Sequence, residues 1–334
     1  MHSDWEFHMQ AATQHPVWVR AIRVEADGVR SFELCPVAGS LPPATPGAHI
    51  DIHLPNGLVR QYSLIAGSDG TRYLIGVNRD ANGRGGSRHM HEQLQVGAQL
   101  NISAPRNHFA LHENAAHSVL IAGGIGITPL YAMAARLTEL GRAWTLDYCV
   151  RTRQRAAFLD ALEALARQGN GRLQLTCDQE PGQASLDLAE VVARHDGAGT
   201  HFYCCGPAPM IVAYEQACAG LPPEQVHLEY FSAVPLAADG AGAAADSAFR
   251  VRLARSGQSV EIPPGRSILE VLLARGMPIF NSCREGMCGS CETVVLAGQP
   301  EHRDRVLSAA ERAAGNTMMI CVSRCRGEEL TLDL

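Results

Sequence analysis

Cys283, Cys288 and Cys291 stand as Cys-x4-Cys-x2-Cys, and Cys321 follows after twenty-nine residues, in NSCREGMCGSCETVV…MMICVSR. This is the spacing of plant-type [2Fe–2S] sites, where one loop supplies three thiolates and a distant segment the fourth. Gly286 and Gly289 let that loop curl toward the sulfurs without a Cβ in the way. A zinc site uses paired Cys-x2-Cys knuckles, which this spacing does not provide. A disulfide framework belongs to small domains in oxidising compartments. The chain has no signal-peptide h-region and no apolar run long enough to span a bilayer, so a cytoplasmic protein with no membrane partner is expected. Cys325 is the alternative fourth ligand, but Cys321 sits better in the CVSRCRGEELTLDL tail. Cys35, Cys149, Cys177, Cys204, Cys205 and Cys218 are scattered and read as small buried hydrophobes.

A second chemical signal is SVLIAGGIGITP, an apolar strand running into Gly123, Gly124 and Gly126. A helix is expected to start at Thr128-Pro129, with Thr128 as N-cap and Pro129 in the first turn. Backbone N–H groups exposed there can hold a pyrophosphate. The glycines are not arranged as G-x-G-x-x-G, so the dehydrogenase fingerprint is absent. Two further segments stand out: Arg60-Gln61-Tyr62-Ser63, and Tyr203-Cys204-Cys205-Gly206-Pro207-Ala208-Pro209-Met210.

The elements that must position these residues fall into distinct textures. Length alone, 334 residues, suggests two or three domains. Residues 1–15 read as a tail. Residues 16–112 hold short alternating runs (VWVRAIRVE, VRSFEL, HIDIHL, LVRQYSLI, RYLIGVNR, QLNIS), the pattern of an antiparallel β-barrel. Residues 113–231 alternate strand and helix, as in an α/β parallel sheet. Residues 232–246, rich in Ala, Gly and Asp, read as a linker. In residues 247–334, FRVRLA and QSVEIP form a hairpin, and SILEVLLARG a helix ending at Gly276.

Taken together, these motifs resemble the ferredoxin–NADP reductase superfamily, whose hallmarks are R-x-Y-S, G-G-x-G-x-T-P and C-G-P-x-P-M. With the C-terminal cysteine pattern, the chain from about residue 16 onward resembles the phthalate dioxygenase reductase family. The resemblance implies a multidomain fold: an antiparallel β-barrel flavin domain, an α/β parallel-sheet nucleotide domain and an α+β β-grasp [2Fe–2S] ferredoxin domain. It places Tyr62 on the isoalloxazine, Ser63 near flavin N5, and Arg60 with Gly83-Arg84-Gly85-Gly86-Ser87 on the FMN phosphate. Gln61 and Val77 join that flavin set. FMN rather than FAD is implied, since no aromatic platform for an adenine lies near this loop. Gly124, Gly126, Thr128, Pro129, Gly206 and Pro207 fall on NADH, with Cys205 beside the reactive carbons. In His227-Leu228-Glu229-Tyr230-Phe231, Phe231 falls against the flavin and Glu229 near the nicotinamide; Arg151-Thr152 falls on the adenosine ribose and Asp178 on the nicotinamide side. Without the resemblance, Glu229 and Asp178 read as solvated loop acids, and Arg153 and Arg155 leave NADH and NADPH both open, because Arg suits a 2′-phosphate.

The implied activity is a step-down device: NADH delivers two electrons as a hydride, a cluster takes single electrons, and a flavin mediates. The implied partner is a terminal Rieske non-haem iron oxygenase, with this chain a monomer. Another monooxygenase or a ferric chelate is the competing acceptor. A redox sensor is disfavoured, because no effector domain is evident. A net charge of −6 gives no nucleic-acid signal, and all 28 basic residues are Arg. Residues 247–334 carry +1 and residues 1–246 carry −7. The cluster domain is therefore not strongly acidic, and a covalent tether makes capture by charge unnecessary.

Overall fold

The computed structural model describes residues 14–67, 69–81, 83–182, 185–231 and 247–334. The expected linker, and all but two residues of the expected tail, lie outside these. The chain divides into two compact units, one ending at Phe231 and one beginning at Ser232.

The first unit opens with a closed antiparallel barrel. Its strands are β1 (His15–Ala26), β2 (Val29–Pro36), β3 (His49–His53), β4 (Val59–Ala66), β5 (Tyr73–Asn78) and β6 (Gln99–Ile102), in the order β1-β2-β5-β4-β3-β6. The barrel thus begins one residue earlier than expected, at His15. Alternation sends Val17, Val19, Phe32, Leu34, Ile50, Ile52, Ile75 and Ile102 inward, each at most 1% exposed. A short helix the sequence reading missed, α1 (Gly86–Glu92), follows β5 and is pinned by the His91 ring on the Val77 carbonyl at 2.9 Å.

Five parallel strands follow: β7 (His117–Gly123), β8 (Trp144–Val150), β9 (Gly171–Cys177), β10 (Thr200–Gly206) and β11 (Val226–Tyr230), in the order β11-β10-β7-β8-β9. The central strands β7, β8 and β10 are covered on both faces, so they read as near-continuous apolar runs. The covering helices are α2 (Ile127–Glu139), α3 (Leu159–Gln168), α4 (Leu188–His195) and α5 (Ala208–Ala217). Strand order runs outward from β7 to β9 and then reverses to β10. The switch point between β7 and β10 is where open parallel sheets bind ligands, at the strands' C-terminal ends. Val29, Ile65 and Phe109 of the barrel region share one buried cluster with Leu120, Ala122, Tyr203 and Cys205 of the sheet. Barrel and sheet therefore pack as one body.

The second unit holds β12 (Phe249–Leu253), β13 (Ser259–Ile262), α6 (Ile268–Ala274), β14 (Glu292–Ala297), β15 (Pro300–Glu301), α7 (Ala309–Ala314), β16 (Thr317–Met319), β17 (Arg324–Cys325) and β18 (Glu329–Leu332). The main sheet is β13-β12-β18-β14-β16, with β12 and β18 parallel and the other pairs antiparallel. A capping box of Ser267 and Glu270 starts α6, which buries Ile268, Leu269 and Leu272 against that sheet. Among the described residues no helix is long and apolar enough to cross a membrane.

Candidate active site and cluster loop

At the switch point the backbones approach too closely for side chains. A Cβ on Gly126 would lie 2.1 Å from the Cys205 carbonyl oxygen, and one on Gly123 would lie 2.5 Å from Pro207 Cδ. Gly123 ends β7, and Gly124–Gly126 form a single 3-10 turn, so α2 begins at Ile127. This corrects the expected start. Thr128 is not the N-cap but the second helical residue, 1% exposed, with its hydroxyl donating to the Ile125 carbonyl at 3.0 Å. The reason is that glycine tolerates the tight turn, Gly124 at φ 54°, which begins winding the chain before Thr128 is reached. No side chain caps α2, so the N–H groups of its first turn face the crevice unclaimed by a cap.

The barrel brings β4 to this crevice. Ser63, 4% exposed, points its hydroxyl at the Glu229 carboxylate across 3.5 Å. Glu229 stands beside Cys205 in the parallel pairing of β11 with β10. Although part of its surface still meets solvent, protein surrounds the carboxyl densely, and burial pushes its pKa from the ordinary 4.5 up to about 8, with the Ser63 contact pulling the other way. Glu229 is thus a strand residue held protonated at neutral pH, not a solvated loop acid. Burial, and then Glu229, hold the Cys205 thiol well above its usual range, so it is a neutral group. Phe231, just beyond β11, leaves its ring 40% exposed.

Arg60, on β4, reaches the loop before α1 with its side chain. Its guanidinium donates to the Arg84 carbonyl at 3.1 Å, and a Cβ on Gly86 would meet its Cγ and Nε at 2.5 Å. Gly85 takes φ 86°, a left-handed value that turns the chain into α1. The Ser87 hydroxyl accepts from the Asp80 N–H at 3.1 Å. A guanidinium, a glycine turn and a hydroxyl converge, a donor set that fits a phosphate. Tyr62 is partly buried against the barrel core. Two further expected flavin residues also have framework contacts. Gln61 gives its amide to Asp51 at 2.7 Å, beside the buried Asp51–Arg106 ion pair, and Val77 is buried in the barrel core with its carbonyl on His91.

Arg151, Thr152 and Asp178 sit together at the C-terminal ends of β8 and β9. The Asp178 N–H donates to Val150 and the Gln179 N–H to Arg151. Because β9 is the sheet edge, β7 and β8 separate Asp178 from Cys205. The structure puts Asp178 beside Arg151, with two strands between it and Cys205. Arg153 is engaged with acids: its side chain pairs with Glu163 at 3.4 Å and its N–H donates to Glu180 at 2.7 Å.

In the second unit Cys283, Cys288, Cys291 and Cys321 are all buried. Their thiols meet one another: Cys283 with Cys288, and Cys321 with both Cys283 and Cys291. The N–H groups of Glu285 and Met287 point at Cys283 Sγ, at 3.3 and 3.5 Å, and Ser290 Oγ lies 3.0 Å from Cys288 Sγ. Positive φ at Arg284, Gly286 and Gly289 curls the loop around them. The Cys283 contact and burial raise the Cys288 thiol far above its usual range. Thiolates here need a cation beside them, which fits an iron–sulfur cluster. Among the described residues no three His, Cys, Asp or Glu converge as around a single metal ion. Cys325 is in the same core, but its sulfur accepts the Gly327 N–H at 3.3 Å.

Comparison with known proteins agrees with this arrangement. Residues 120–216 match the family model of the oxidoreductase NAD-binding domain, and residues 251–326 that of the 2Fe-2S iron-sulfur cluster binding domain. The chain is 51% identical over 329 residues to the phenoxybenzoate dioxygenase subunit beta of Ectopseudomonas oleovorans, covering 97% of this chain and 99% of that one. The solved structure of phthalate dioxygenase reductase matches with a TM-score of 0.68 at 37% identity, covering 96% of this chain and 98% of that one. The chain belongs to the phthalate dioxygenase reductase family. As a member of that family it is an NADH-dependent oxidoreductase of the oxygenase-reductase type, with NAD-binding and [2Fe–2S] domains. An intact type IV self-sufficient cytochrome P450 monooxygenase is also similar, with a TM-score of 0.87 at 36% identity; the match covers 96% of this chain but only 41% of that longer one.

Proposed function

We propose that this chain is the reductase component of a two-component Rieske-type oxygenase, passing electrons from NADH through FMN and its [2Fe–2S] cluster to the terminal oxygenase. The observation that carries the reading is the crevice at the switch point. It brings Ser63 of the barrel to Glu229 and Cys205 of the sheet, in a chain that also holds a four-cysteine loop. When bound, the flavin accepts two electrons as a hydride and releases them singly.

The chain's own residues hold and orient the reactants. Arg60, Arg84, Gly85, Gly86 and Ser87 bind the flavin phosphate, and Tyr62 and Phe231 supply ring faces. Ser63, Glu229 and Cys205 line the place where the nicotinamide meets the flavin; the buried Cys205 thiol and the half-buried Glu229 carboxyl, both neutral, keep charge away from it. Gly124, Gly126, Thr128 and Pro129 bind the pyrophosphate at the start of α2, Gly206 and Pro207 form the opposite wall, and Arg151, Thr152 and Asp178 take the adenosine end. FMN is favoured over FAD because no aromatic side chain lies between Arg84 and Ser87 to receive an adenine. NADH is favoured over NADPH because the Arg153 guanidinium is paired with Glu163 rather than left for a 2′-phosphate. The protein is taken to act in the cytoplasm as a monomer.

The test is to release and identify the flavin, then measure kcat/KM with NADH and NADPH, and with a Rieske oxygenase as electron acceptor. Stoichiometric FAD, or a preference for NADPH, overturns that part of the reading. The similarity to a P450 chain supports a second reading, in which the acceptor is another monooxygenase. Faster reduction of a P450 than of any Rieske oxygenase would favour it.

A further inference from the structure

Asp304 is fully buried in the second unit, yet it is none of the residues that hold a cofactor. Its Oδ2 accepts the backbone N–H of Val306 at 3.1 Å and of Leu307 at 2.9 Å. Its Oδ1 accepts the Ser323 hydroxyl at 3.3 Å. The Arg312 guanidinium stands 3.9 Å from Oδ2 and donates to the Asp304 carbonyl at 2.6 Å, and the His302 ring lies 3.7 Å from Oδ1. This acceptor-only pattern suits a carboxylate, and a buried carboxylate persists only when so many donors surround it.

The turn that Asp304 organises touches both halves of the cluster site. On one side it holds the loop carrying three cysteines: the Arg305 N–H donates to the Gly286 carbonyl at 2.8 Å. A Cβ on Gly286 would lie 3.1 Å from Asp304 Cα and 2.6 Å from Val322 Cγ2. On the other side it holds the segment carrying the fourth cysteine: Ser323, two residues past Cys321, donates to Asp304 and accepts from the Arg303 N–H at 3.1 Å. Gly286 is therefore clamped between the Asp304 turn and the residue that follows Cys321.

We propose that Asp304 is a positioning residue for the cluster, tying the loop of Cys283, Cys288 and Cys291 to the Cys321 segment so that four thiolates are held at one separation, with its buried charge biasing the cluster's reduction potential. This rests on the [2Fe–2S] reading of the four cysteines. Removing the side chain should let the two segments drift and release iron. Removing only the charge should keep the geometry and make the cluster easier to reduce, since a negative charge nearby disfavours adding an electron.

The experiment uses full-length holoprotein with Asp304→Asn, Asp304→Ala and Ser323→Ala. In Asp304→Asn one oxygen still accepts the Val306 and Leu307 N–H groups, and the Ser323 hydroxyl can rotate to accept from the new amide. Three quantities are read: iron loss to a chelator, the EPR signal of the dithionite-reduced cluster, and the midpoint potential. Asp304→Asn is expected to retain iron with a more positive potential and altered g values. Asp304→Ala and Ser323→Ala are expected to lose iron several-fold faster than wild type. If Asp304→Ala does not fold, Ser323→Ala carries the test, because it deletes one hydroxyl. Wild-type potential and spectrum in Asp304→Asn, or wild-type iron loss in Ser323→Ala, would overturn the proposal. Absence of iron and labile sulfide from the wild type would instead overturn the cluster reading beneath it.

Discussion

Replacing Glu229 by Gln should change how the stability of the first unit depends on pH, by an amount the structure sets. The carboxyl has an ordinary pKa of 4.5 and, through burial, about 8 in the folded chain. Between those values the unfolded chain has released the proton while the folded chain keeps it. Stability therefore falls as pH rises through the interval, by about 1.4 kcal/mol per pH unit, and levels off above the folded value. From about pH 5.5 to about pH 7.5 wild type should lose roughly 3 kcal/mol that Glu229→Gln does not lose. Gln has the same shape and can still hydrogen-bond Ser63. The neighbouring His227, which burial holds down at about 4, titrates alike in both proteins and cancels in the difference. Urea unfolding at a series of pH values measures this. Tryptophan fluorescence reports the first unit alone, because all three tryptophans precede residue 232 and Trp144 is fully buried in the shared cluster. Parallel stability profiles for the two proteins would refute the reasoning: the folded chain would not be holding that proton.

Other outcomes test the remaining parts. Cys321→Ser should lose or strongly perturb the visible and EPR spectra of the cluster, while Cys325→Ser, whose sulfur serves the Gly327 N–H, should leave them unchanged. Gly126→Ala should destabilise the first unit by about 1–3 kcal/mol in urea and raise the NADH KM at least tenfold, because the added methyl falls on the Cys205 backbone, which cannot swing aside. Arg60→Ala should lower flavin retention on gel filtration, the phosphate having lost a charge-assisted partner. A chain ending near residue 233 should keep its flavin and pass electrons from NADH to a two-electron dye, but fail with a one-electron protein acceptor.

The cluster ligands, the glycine turn and the order of the three folds are legible in the sequence because each rests on local rules. Cysteine spacing is dictated by two irons, glycines mark where backbones must crowd, and period-two and strand–helix textures mark barrel and sheet. Where two local rules compete, the cap moves by two residues: Thr128 is a good cap, but the glycine turn ahead of it has already begun the helix. Asp178 follows the end of one strand and Cys205 lies near the end of another, and only the strand order places the first at the sheet edge and the second at the switch point. Resemblance alone pointed to Glu229, its protonated form lay beyond the sequence, and Asp304 lay beyond it altogether. Ser63 and Glu229 are 166 residues apart, and nothing around either announces the other. A carboxyl's burial, its proton and its partners are properties of everything packed around it, so tertiary structure alone decided that Glu229 faces the crevice in neutral form and that Asp304 lies between the two segments that carry the cysteines.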